Sequence, residues 1–98
     1  MGRYSNDITR LKKLIIPVLN RFDVKRAAFF GSLVKGEWSE RSDIDILVEL
    51  SDDWSLFDFI ELKNEIEDTT GRRVDLVGYE TIKESLQKRI MQEQVQIL

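Results

Sequence analysis

Hydrophobic and polar positions alternate along this chain with two different periods, and the changes of period mark out its elements. Ile8, Leu11, Leu14, Ile15, Val18, Leu19 and Phe22 recur at helical spacing. They predict an amphipathic helix over 6–22, capped by Asn6 or Asp7 and kinked or divided at Pro17. Val24 to Phe30 reads as a short strand ending at Gly31-Ser32, and 33–42 as a polar connection with Gly36 in its middle and room for one helical turn after Ser32. From Asp43 the period is strictly two. Ile44, Ile46, Val48 and Leu50 take one face, and Asp43, Asp45, Leu47 and Glu49 take the other.

Ser51-Asp52-Asp53 breaks that strand, and Ser55 opens a helix with Asp58 three residues on, as in a capping box. Leu56, Phe59, Ile60, Lys63 and Ile66 are its expected inner stripe, and Gly71 its stop. A third strand follows over 73–77. Thr81 with Glu84 repeats the capping pattern, Ile82, Leu86 and Ile90 predict a last helix, and 94–98 is a tail. Repeats, low-complexity tracts and dividing linkers are absent from the sequence, so 1–98 is expected to form a single domain. The order helix, strand, loop, strand, helix, strand, helix implies an α/β (α+β) fold, a small mixed sheet flanked by helices. The apolar face of the central strand should meet those helices, and its acidic face should look onto solvent or a cleft.

Composition narrows the chemistry. The 98 residues are 42% apolar and 34% charged, with neither cysteine nor histidine. Thiolate and imidazole ligands, a cysteine nucleophile and a Ser-His-Asp triad are therefore excluded. Catalysis would have to rest on carboxylates, hydroxyls, Lys or Arg, and any bound metal should be a hard, oxygen-loving cation such as Mg²⁺. With 15 Lys and Arg against 18 Asp and Glu, the net charge of −3 argues against a dedicated nucleic-acid binder. The polar N-terminus and short apolar runs lead us to expect a cytoplasmic protein with no membrane association.

The candidate chemistry lies where the two-fold pattern begins. Asp43 and Asp45 project from one side of a strand, their roots about 7 Å apart at the rise of a β-strand. Asp75, in the third strand, would join them if the two strands are neighbours. Three crowded carboxylates repel one another and are best accounted for by a divalent cation, which suggests a two-metal site for phosphoryl transfer. Ahead of them, Gly31 permits close backbone approach, and the amide groups beside Ser32 can cradle an anion. Neither a Walker loop nor a dinucleotide fingerprint is present.

Phe30-Gly31-Ser32-Leu33-Val34-Lys35-Gly36-Glu37, then Ser42-Asp43-Ile44-Asp45-Ile46-Leu47-Val48, then Val74-Asp75-Leu76-Val77 together resemble the nucleotidyltransferase superfamily that includes DNA polymerase beta. The chain is most similar to its minimal nucleotidyltransferases, along nearly its whole length. The resemblance implies that Asp43 and Asp45 ligate the Mg²⁺ ions (two are expected) that hold ATP, and that Asp75 completes the second metal site and helps deprotonate the acceptor. It further implies that Gly31 and Ser32 contact the β and γ phosphates. Lys35 stands where relatives often carry Arg, keeping the charge but not the bidentate fork.

Family members of this size are similar to antitoxins whose partner is a helical HEPN-domain ribonuclease toxin. The implied activity is transfer of AMP from ATP to a tyrosine of that partner, in a hetero-oligomer. Two other readings are open: a non-catalytic antitoxin that occludes its partner, and nucleotidyl transfer to a small molecule or RNA end. Trp38, Trp54 and Phe57 are apolar enough to be either local packing or a surface for a partner chain.

Overall fold

The structure is a computed structural model and describes residues 3–35, 43–50, 53–79 and 94–98. The predicted last helix, the connection over 36–42 with Trp38, and Asp52 lie outside the described residues. Helix α1 spans Arg3–Arg21, strand β1 Arg26–Phe30, helix α2 Ser32–Lys35, strand β2 Ile44–Glu49, helix α3 Leu56–Thr70, strand β3 Val74–Gly78 and strand β4 Val95–Gln96. The strands form one sheet in the order β3-β2-β1-β4. It is mixed, as expected: β2 runs parallel to β3, while β1 is antiparallel to both β2 and β4.

One face of the sheet carries the core. Ile44, Ile46 and Val48 of β2, Ala27 and Phe29 of β1, and Val74 and Leu76 of β3 are buried with Leu11, Ile15, Val18 and Leu19 of α1 and Leu62 and Ile66 of α3. Helix α1 continues through Pro17, so of the expected kink or division the division does not occur. Pro17 is exposed, so the hydrogen bond it cannot donate is lost on the wet side of the helix, away from the packing. The helix ends where Asp23 takes a left-handed conformation, φ 58°, a conformation that Asp adopts more readily than most residues. The amide of Val24 then donates to the carbonyl of Leu19 at 3.1 Å and that of Asp23 to Asn20 at 3.2 Å, a Schellman closure.

Helix α3 begins as its sequence predicts. Ser55 accepts from the Asp58 amide at 3.3 Å and donates its own amide to the Asp58 carboxylate at 2.9 Å. Gly71 closes it with φ 69°. Its inner stripe is only in part the expected one, Phe59 and Ile66 holding and Leu56 and Ile60 not. Phe59, Leu62 and Ile66 face the core, whereas Leu56 and Ile60 are 72% and 46% exposed. The apolar residues of this helix cover more than half its circumference, so spacing by threes and fours fits two stripes equally well. The sheet selects the one centred on Leu62.

Two further departures concern the strands. The face of β2 that carries Asp45 is not open throughout, because Leu47 and its β1 partner Ala28 are fully buried. The tail is a strand: Val95 and Gln96 pair with Phe29 and Ala28, and the amide of Ile97 donates to Ala27 at 2.8 Å. Tyr79, just past β3, donates its hydroxyl to Gln94 at 3.1 Å, and its ring lies 4.2 Å from the Arg26 guanidinium, which pairs with Glu49 at 3.2 Å. Among the described residues no helix is long and apolar enough to cross a membrane.

Candidate active site

The parallel pairing of β2 with β3 decides the site. Its register sets Ile44 beside Val74, Asp45 beside Asp75 and Ile46 beside Leu76. Register partners on adjacent strands share a face, so the carboxylates of Asp45 and Asp75 stand on the side of the sheet away from α1 and α3. Asp43 precedes β2 by one residue, two positions before Asp45, and by alternation belongs to the same side. Asp43 and Asp75 are exposed and Asp45 is half-buried.

Two hydrogen bonds hold this end of the sheet in place. The amide of Ile44 donates to the carbonyl of Arg73 at 2.8 Å, fixing the start of β2 against the start of β3. The amide of Val74 donates to the carboxylate of Glu67 at 2.9 Å, which ties the start of β3 to the last turns of α3. Asp45 and Asp75 each follow one of these anchored residues. Glu67 gave no signal in the sequence, since an acidic residue on a charged helix reads as solvated.

Gly31 contributes through what it lacks. It follows β1 directly, with φ 72°, and a Cβ built on it would sit 3.0 Å from Cγ of Asp45 and closer still to Oδ2. No other side chain leaves the Asp45 carboxylate its place. The sequence marked Gly31 for close approach to a phosphate; its contact with Asp45 arises because Phe30 pairs with Asp45 across β1 and β2. Helix α2 starts at the next residue, so the backbone of Ser32 and Lys35 stands immediately beyond the Gly31 turn.

The donors available here are carboxylate oxygens, which suit a hard cation and not a soft one. Among the described residues, however, no three acidic side chains close into a ready-made metal cage. The expected convergence of Asp43, Asp45 and Asp75 on one point is thus met by a neighbouring pair, Asp45 and Asp75, with Asp43 one repeat away along the strand. Such a set fits Mg²⁺, which is commonly held by one or two carboxylates and completes its octahedron with substrate phosphates and water.

The fold, a small mixed sheet with helices on one face, can be set against known proteins. Residues 13–98 match the family model described as polymerase beta, nucleotidyltransferase. The chain belongs to this family. It is 45% identical over 92 residues to the Methanocaldococcus jannaschii protein MJ0435, provisionally named a protein adenylyltransferase, covering 94% of this chain and 99% of that one. It is 43% identical over 77 residues to the protein adenylyltransferase MntA of Thermococcus cleftensis, covering 79% and 78%. A solved toxin–antitoxin structure containing AMP-PNP superposes with a TM-score of 0.77 at 25% identity, covering 89% of this chain and 72% of that one.

Proposed function

We propose that this chain is a Mg²⁺-dependent protein adenylyltransferase that moves AMP from ATP to a tyrosine of a HEPN-domain toxin, and so acts as an antitoxin. The observation that carries the reading is the pairing of Asp45 with Asp75 on one sheet face, with the side-chain-free Gly31 turned onto the Asp45 carboxylate. The names of its relatives support the choice of adenylate and of a protein acceptor.

In this mechanism Asp43, Asp45 and Asp75 would hold Mg²⁺, which when bound would supply neutralising charge to the triphosphate. The amide groups at the Gly31-Ser32 turn receive the β and γ phosphates, with Lys35 adding positive charge. The phenolic oxygen of the acceptor attacks the α-phosphorus, and the new O–P bond forms as the bond to the bridging oxygen of the β-phosphate breaks. Pyrophosphate leaves, and the phenolic proton passes to the Asp75 carboxylate. Positioning and charge neutralisation carry this chemistry, which explains how a site without histidine or cysteine can perform it.

The test is intact-mass spectrometry of the chain mixed with ATP, Mg²⁺ and the HEPN protein of the same organism. The added mass of AMP on the HEPN protein is expected, and its absence with an Asp43→Asn/Asp45→Asn variant. Neutralisation of the toxin by that variant, with no AMP added by the wild type, would replace catalysis by occlusion.

A further inference from the structure

The first two turns of α3 leave a large apolar surface unused by the fold. Phe57 is 83% exposed, Leu56 72% and Ile60 46%, although each stands on a helix whose other face reaches the core through Leu62 and Ile66. Trp54, just ahead of the helix, is not part of this surface: it is half-buried against the core, its ring 6.0 Å from that of Phe22 at the end of α1. Exposed aromatic and aliphatic side chains grouped in this way on a soluble domain mark a place of contact.

The charge around the patch selects the occupant. The remaining exposed residues of α3 are Glu61, Asn64, Asp68 and Thr69, and the one cation of the helix, half-buried Lys63 beside Ile60, is outnumbered by Asp58, Glu61, Glu65, Glu67 and Asp68. A second copy docking face to face would set two anionic helix faces against each other. A protein with an apolar ridge edged by Lys and Arg would instead find complementary charge.

We propose that the outward face of α3, centred on Phe57 and Ile60, is the docking surface for such a partner protein, and that it is separate from the nucleotidyl-transfer edge. Helix α3 lies on the core face of the sheet, and Asp45 and Asp75 stand on the opposite face. Along the helix, Phe57 is ten residues, about 15 Å, from Glu67, the residue that anchors β3 beside Asp75. A partner seated on the patch leaves that edge open to nucleotide.

The choice of probe rests on the proposed function: the purified HEPN protein of the same organism, titrated against the chain by calorimetry, with sedimentation of the chain alone alongside. The Phe57→Glu variant should keep its thermal midpoint and its ATP affinity in Mg²⁺ while losing at least about 30-fold in affinity for the HEPN protein, the scale of an aromatic anchor. Glu61→Lys/Asp68→Lys should weaken the complex by about tenfold and flatten its salt dependence. Equal affinity of wild type and Phe57→Glu would overturn the proposal, as would a HEPN protein that does not bind. A wild-type dimer that Phe57→Glu dissociates would also overturn it, giving the patch to a second copy. Binding that depends on Phe57 without AMP transfer would uphold the docking surface and sink the adenylyltransferase reading.

Discussion

Replacing Gly31 by alanine tests the geometry of the site in the absence of any ligand. The backbone there has φ 72°, and an alanine held in the left-handed region costs about 1–2 kcal/mol. The added methyl would also lie 3.0 Å from Cγ of Asp45 and nearer to its Oδ2, so the carboxylate or the turn must move, a displacement of the overpacking kind worth about 1–3 kcal/mol. Together Gly31→Ala should lose about 2–5 kcal/mol, a large part of the stability of a domain this size. The two contributions separate in a double-mutant cycle read by urea unfolding. With Asp45→Ala in place the closest contacts are gone and only Cβ of residue 45, 3.3 Å from the added methyl, stays near, so Gly31→Ala should then cost little beyond the backbone portion, leaving a coupling of at least about 1 kcal/mol between the two positions. A loss of less than about 0.5 kcal/mol in Gly31→Ala, or additive costs in the double variant, would refute the packing of Gly31 against Asp45.

Three other changes probe the rest of the account. Ile66→Ala should cost about 2–5 kcal/mol and Ile60→Ala less than about 0.5 kcal/mol in the same unfolding assay, because only Ile66 is fully buried; equal losses would contradict the stripe centred on Leu62. Asp75→Asn should abolish AMP transfer yet shift stability by no more than about 0.5 kcal/mol, since the side chain is exposed, and a thermal midpoint lowered by more than about 5 °C would mark Asp75 as structural. Burial pushes the Tyr79 hydroxyl above its ordinary value of 10.0, outweighing the opposing pull of Arg26. Its folded-state ionisation therefore lags that of the unfolded chain, so its contribution is complete below pH 10 and lost as pH rises through the folded value. Tyr79→Phe should lose about 1 kcal/mol at neutral pH with its bond to Gln94 and show a shallower decline of stability above pH 10, and an identical alkaline decline would refute the assignment.

Much of the site was legible because its signals are local. Ile44, Ile46 and Val48 alternate with Asp43 and Asp45, and that alternation alone assigns the carboxylates to one face. Ser55 with Asp58 and Gly71 set the ends of α3 within a residue, since caps depend on hydrogen bonds between near neighbours. What could not be read depends on partners far along the chain. The neighbourhood of Asp45 and Asp75 is set by strand register, which the sequence admits but does not impose. The stripe of α3 is chosen by the sheet it meets, so Leu62 was missed and Ile60 misplaced. The strand at Val95–Gln96 had a signal that a reading as tail overlooked, with Val95 and Ile97 alternating between Gln94, Gln96 and Leu98. Leu47 is buried on the acidic face because the period of a strand records sides, not what covers them.

The central claim is that the edge bearing Asp45 and Asp75 transfers a nucleotidyl group, and its most direct test is the fate of the label from ATP carrying radioactive phosphorus at either the α or the γ position. Incubated with Mg²⁺ and the HEPN protein, the wild-type chain should place the α label on protein and release the γ label as pyrophosphate, while Asp45→Asn, folded to the same thermal midpoint, should place neither. Label from the γ position on protein, or undiminished α label with Asp45→Asn, would contradict the account.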